Sequence, residues 1–88
     1  MNQVHIIIKG TVQGVGFRYF TAMTAANHHI NGWVRNLENG DVEICAQGGE
    51  VELQTFIEKV KIGPRFSNVT SLQIKESTLE HYDTFKIK

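Results

Sequence analysis

From Val4 to Lys9, every second side chain is apolar. Val4, Ile6 and Ile8 fall on one side, and His5, Ile7 and Lys9 on the other. That period of two is the pattern of a strand covered mainly on one face. After a glycine-bearing interruption, Tyr19, Ala22, Met23, Ala26 and Ile30 recur at helical spacing. With an alanine-rich composition they predict a helix from Phe17 to His29 that buries this stripe. Gly32 opens a second expected strand, Trp33 to Leu37. Asn39-Gly40 is a hairpin turn signal. Asp41 to Gln47 follows as a third strand, with Val42, Ile44 and Ala46 on one face, and Gly48-Gly49 breaks it. Leu53, Phe56, Ile57 and Val60 mark a second amphipathic helix. Gly63-Pro64 ends it, because proline cannot continue a helix. Val69 to Lys75 reads as a fourth strand, with Leu72 and Ile74 apolar on one face. A short last strand, Thr84 to Lys88, is expected to bury Phe85 and Ile87.

The resulting order is β-α-β-β-α-β with a short terminal strand. It predicts an α+β fold, the ferredoxin-like split βαβ sandwich, in which an antiparallel sheet carries two helices on one face. At 88 residues the chain is expected to form a single domain over 1–88. This architecture hosts many unrelated functions, so function has to come from a site.

Composition narrows the classes. Nine basic and nine acidic residues leave a formal net charge of +0. A protein that depends on nucleic acid usually carries a basic surplus, so no nucleic-acid partner is expected. The one cysteine, Cys45, cannot form an internal disulfide, which fits a reducing cytoplasm. The apolar run from Val4 to Ile8 is too short for a signal-peptide core or a membrane span, so no membrane association is expected. His5, His28, His29 and His81 form no set of ligands at zinc-like spacing. Neither a metal nor another cofactor is expected.

The chemistry concentrates in Thr11-Val12-Gln13-Gly14-Val15-Gly16-Phe17-Arg18, between an expected strand and an expected helix. Two glycines allow a sharp turn that brings several backbone N–H groups toward one point. Arg18 falls at the helix start, where free N–H groups and the helix dipole already favour an anion. The parts make a phosphate-sized cradle with a guanidinium at its rim. No cysteine or serine lies in the loop to attack phosphorus, which points to water as the nucleophile. The loop lacks a Gly-Lys-Ser/Thr step, and Tyr19 interrupts the dinucleotide-binding pattern.

Val12-Gln13-Gly14-Val15-Gly16-Phe17-Arg18, followed by Gly32-Trp33-Val34-Arg35-Asn36, resembles the two signature segments of the acylphosphatases. The Asn39-Gly40 hairpin, the Gly63-Pro64 step and the closing Phe85-Lys86-Ile87 resemble that family too. The likeness runs in order through essentially the whole chain. It implies hydrolysis of the carboxyl–phosphate bond of acyl phosphates, without metal or covalent intermediate. It also implies that Arg18 binds phosphate and that Asn36 positions the attacking water. The residue types suit those roles. Backbone N–H groups of Gln13, Gly14, Val15, Gly16, Phe17 and Arg18 can hold phosphoryl oxygens, and Arg18 can bind two of them as a fork. Asn36 offers an acceptor and a donor, enough to orient one water. Acyl phosphate is then the small-molecule partner, with inorganic phosphate as product and competitive inhibitor of a monomer.

Rival readings come from other classes. A ferredoxin-like RNA-binding module would carry aromatic residues on its central strands, and the expected strand over Val42 to Gln47 has none. A catalytically silent anion-binding or regulatory domain would keep the cradle and lose turnover. An accessory domain of a larger enzyme is a third possibility, against which Met1 and the closing strand favour a free-standing protein. Cys45 lies mid-strand with no histidine near it in sequence, and Arg35 should face away from Asn36 by strand alternation.

Overall fold

A computed structural model describes residues 1–78 and 80–88. The elements run β1 (Asn2–Thr11), α1 (Phe17–Asn27), β2 (Asn31–Asn36), β3 (Val42–Gly48), α2 (Glu50–Ile62), β4 (Asn68–Glu76) and β5 (Phe85–Ile87). The strands form one sheet in the order β4-β1-β3-β2-β5. The first four pair antiparallel in the split βαβ manner. β5 instead pairs parallel with β2, with Gly32 opposite Phe85 and Val34 opposite Ile87, so the sheet is mixed. Both helices pack on one face. α1 lies over β2 and β5, and α2 over β1, β3 and β4.

The alternation of β1 holds in the structure. Ile6 and Ile8 are fully buried beneath the helices, next to Val34 of β2 and Val42, Ile44 and Ala46 of β3. From α2, Leu53, Phe56 and Val60 complete this core, with Ile57 packed at its edge. The expected strand and helix positions hold to within a few residues.

The buried face of α1 differs from the expected stripe. Tyr19 is 66% exposed and Met23 50%. Ala26 is exposed as well, and Ala22 is partly covered. The buried residues are Phe17, Thr21, Thr24 and Ala25. Two of these are threonines, and each disposes of its hydroxyl inside the helix. Thr21 Oγ1 donates to the Phe17 carbonyl and Thr24 Oγ1 to the Phe20 carbonyl, each at 2.8 Å. A threonine bonded this way presents its methyl to the core.

The helix also stops before His29. His28 is the C-cap, His29 takes a left-handed φ of 57°, and Ile30 N–H donates back to the Ala25 carbonyl at 2.9 Å. This is the Schellman closure, sealed by buried Ala25 and Ile30. Two further expectations shift at the sheet edges. Ile74 is 44% exposed on edge strand β4, and Ile87 is 47% exposed on edge strand β5. Edge strands have a neighbour on one side only, so their apolar residues are covered less.

Candidate active site

The chain leaves β1 at Thr11 and turns through Val12–Gly16 before entering α1. Val12 and Phe17 anchor the two ends of the turn, at 1% and 2% exposure. Gly14 and Gly16 take φ values of 75° and 77°. A Cβ at either position would meet nothing within 4 Å. Glycine is therefore required there by backbone conformation and not by space. Gly16 caps α1. No side chain bonds to the first-turn amides, and no acidic residue lies in that turn. The amides and the helix dipole thus favour a bound anion without a competing carboxylate of their own turn.

Gln13, Gly14, Gly16, Phe17 and Arg18 line a cavity of about 250 Å³ together with Tyr19, Asn36 and Ile87. The fold thereby brings the two expected side chains, Arg18 and Asn36, onto one space from different elements. Val15 does not line the cavity; it packs against the core as a partly buried side chain. Arg18 is held at the β5 edge of the sheet, where its Nη1 donates to the backbone oxygen of Lys88 at 3.1 Å. The Lys88 N–H in turn donates to the Val34 carbonyl at 2.8 Å, continuing the β2–β5 ladder. A guanidinium has five N–H donors, so this anchor leaves most of them for a ligand. Arg35 faces the opposite side of β2 from Asn36. It pairs with Glu43, and its guanidinium carbon lies 5.3 Å from the Trp33 ring centroid.

The hairpin after Asn36 is tied down tightly. Leu37 N–H donates to the Asp41 carbonyl at 2.9 Å, and Gly40 N–H to the Leu37 carbonyl at 3.2 Å. The Asp41 carboxylate is nearly buried and accepts Lys9 Nζ at 2.6 Å and Asn39 Nδ2 at 3.2 Å. From the glycine loop, Gln13 Nε2 donates to both the Leu37 and the Asp41 carbonyls, each at 2.8 Å. The sequence reading assigned Gln13 only a backbone amide. Its side-chain partners lie 24 and 28 residues away, beyond any spacing rule, and the Lys9–Asp41 pair escaped for the same reason.

Other reactive groups lie elsewhere. Burial pushes the Cys45 thiol up, against an opposing hydrogen bond with Tyr82, so little nucleophilic thiolate forms. Among the described residues, no three His, Cys, Asp or Glu side chains gather into a group that could hold a metal ion.

Comparison with known proteins shows the family and the fold. The family model described as Acylphosphatase matches residues 4–87. An acylphosphatase of Bacillus velezensis is 52% identical over 88 residues, covering 99% of this chain and 98% of its own. The crystal structure of an acylphosphatase from Bacillus subtilis superposes with a TM-score of 0.98 at 49% identity, over 100% of this chain and 99% of that one. An acylphosphatase structure from Coxiella burnetii gives a TM-score of 0.95 at 32% identity, over 99% of this chain and 92% of that one. The chain belongs to the acylphosphatase family and is an enzyme of that class.

Proposed function

We propose that the enzyme hydrolyses the carboxyl–phosphate bond of small acyl phosphates by direct attack of water, with Arg18 holding the phosphoryl group and Asn36 orienting the water. The observation that carries this reading is the opening of Arg18, the loop and Asn36 onto one cavity. Backbone N–H groups from Gln13 to Arg18 and the Arg18 fork take the phosphoryl oxygens and neutralise their charge. Asn36 accepts from the water and aims its oxygen at phosphorus, opposite the leaving carboxylate. The P–O bond to water forms as the P–O bond to the acyl group breaks. The carboxylate leaves with that electron pair, and the water's proton passes to a phosphoryl oxygen. A carboxylate is a good leaving group, so positioning and charge stabilisation are the main demands.

In the same reading the enzyme works as a monomer in the cytoplasm, without cofactor, nucleic acid or membrane. Balanced charge and a single cysteine support it. Among the described residues no helix is long and apolar enough to cross a membrane.

The test is hydrolysis of a simple acyl phosphate beside a phosphate monoester, before and after exhaustive chelation. Turnover of the first alone, unaffected by chelator and inhibited competitively by inorganic phosphate, is expected. No turnover would restore the silent anion-binding domain. Activity lost to chelator and regained with a divalent ion would overturn the water-only mechanism.

A further inference from the structure

We propose that the Gln13 side chain is a positioning residue that sets the distance between the phosphate cradle and Asn36. The inference rests on the proposed reaction and adds a part to it. Gln13 sits next to Gly14 in the loop, and its amide bonds to Leu37, the residue after Asn36. One side chain therefore spans the two halves of the site. Both N–H bonds of the carboxamide are committed, to the Leu37 and Asp41 carbonyls at 2.8 Å each. Two facing carbonyls also fix the amide's orientation, since turning its oxygen toward them would set acceptor against acceptor.

Among the described residues, the other bonds of the hairpin do not reach the loop. The Leu37–Asp41 backbone pair closes the hairpin on itself. Lys9 holds the Asp41 carboxylate from the end of β1, ahead of the loop, through a stem that is 43% exposed. Only Gln13 belongs to the loop. Without its two bonds the hairpin keeps its shape and the strand ladders still hold the loop near the end of β2, but the cradle loses its direct tie to Leu37 and its distance from Asn36 is less tightly set. A bound phosphoryl group would then be held as before, while the water on Asn36 would be misaligned. Misplacement of about 1 Å can cost about a hundredfold in rate.

Gln13→Met keeps the length of the side chain and the backbone amide but removes both donors. Its kcat for an acyl phosphate should fall by about ten- to a hundredfold, while the Kd for inorganic phosphate stays near the wild-type value. Amide exchange at Leu37 should quicken. Gln13→Glu, which sets a carboxylate against the two carbonyls, should be at least as slow. A folded Gln13→Met with wild-type kcat overturns the proposal, and so does a phosphate affinity that falls in step with kcat. A wild-type enzyme without acyl phosphate turnover overturns the underlying reaction instead. One measurement needs no variant. In the wild type the Gln13 carboxamide protons should exchange far more slowly than those of exposed Gln54. Equal rates would show that the two bonds do not persist, and the proposal fails.

Discussion

A guanidinium offers a phosphoryl group two parallel N–H donors in a rigid fork, and an ammonium does not. Arg18 has that fork, and the Lys88 backbone oxygen fixes one arm of it. Arg18→Ala should therefore weaken phosphate binding and turnover together, by at least about 1.5–3 kcal/mol for a lost charge-assisted bond. Phosphate titration beside steady-state kinetics checks this; near-normal kcat/KM would remove Arg18 from the site. Asn36 should behave differently, because water placement matters most as the transition state forms. Asn36→Ala should lower kcat by about 10²–10³, or about 2.7–4 kcal/mol, with phosphate affinity nearly unchanged. A folded variant with unchanged kcat would exclude the role. Arg18 is legible from the contiguous strand, glycine loop and helix start, whereas Asn36, on a separate segment, is reached only through the resemblance to the family's second signature. Gln13 was legible only as part of that loop, since its side-chain partners are set by the tertiary fold.

At the scale of elements, the strands and helices were readable wherever burial follows hydrophobicity. α2 is the clear case, with Leu53, Phe56 and Val60 buried as its period demands. In α1 the rule fails because Thr21 and Thr24 are buried while Tyr19 and Met23 are not. An apolar alphabet omits threonine, yet a threonine bonded to its own helix costs little to bury. Gly32 shows a related limit. It reads as a residue that opens a strand, but it lies within β2, with a φ of 137°. A Cβ there would run into the Cys45 carbonyl of the neighbouring strand. Gly32→Ala should cost about 1–3 kcal/mol in backbone strain alone, with the collision added. Chemical denaturation should show a clearly lowered midpoint. A midpoint equal to wild type would mean that β2 and β3 do not approach as closely as the structure has them.

On the scale of the whole molecule, sheet order assembles the site. Pairing of β1 with β3 and of β3 with β2 sets the glycine loop beside the end of β2. β5 then brings the Lys88 backbone oxygen to Arg18. The parallel direction of β5 was not legible, because no turn signal joins it to β2 and the pairing spans about fifty residues of chain. The face of the sheet away from the helices carries its own charge network. Glu43 on β3 receives His5 Nε2 from β1 at 2.6 Å and Arg35 Nε from β2, so one carboxylate joins three strands. Burial pushes the Glu43 carboxyl up, but the hydrogen bonds and charges of His5 and Arg35 outweigh it and hold the carboxyl below its ordinary value of 4.5. A folded-state value below the unfolded one means that the unfolded chain binds the proton more readily. The stability that Glu43 adds is then complete above pH 4.5 and is lost as pH falls through its lowered folded value. Glu43→Gln removes that contribution. Urea unfolding from pH 7 down to pH 3 should find the variant less stable at neutral pH and less steeply destabilised by acid, so that the two curves converge at the acid end. Parallel curves across this range would show that the β1–β3–β2 network contributes nothing to acid sensitivity.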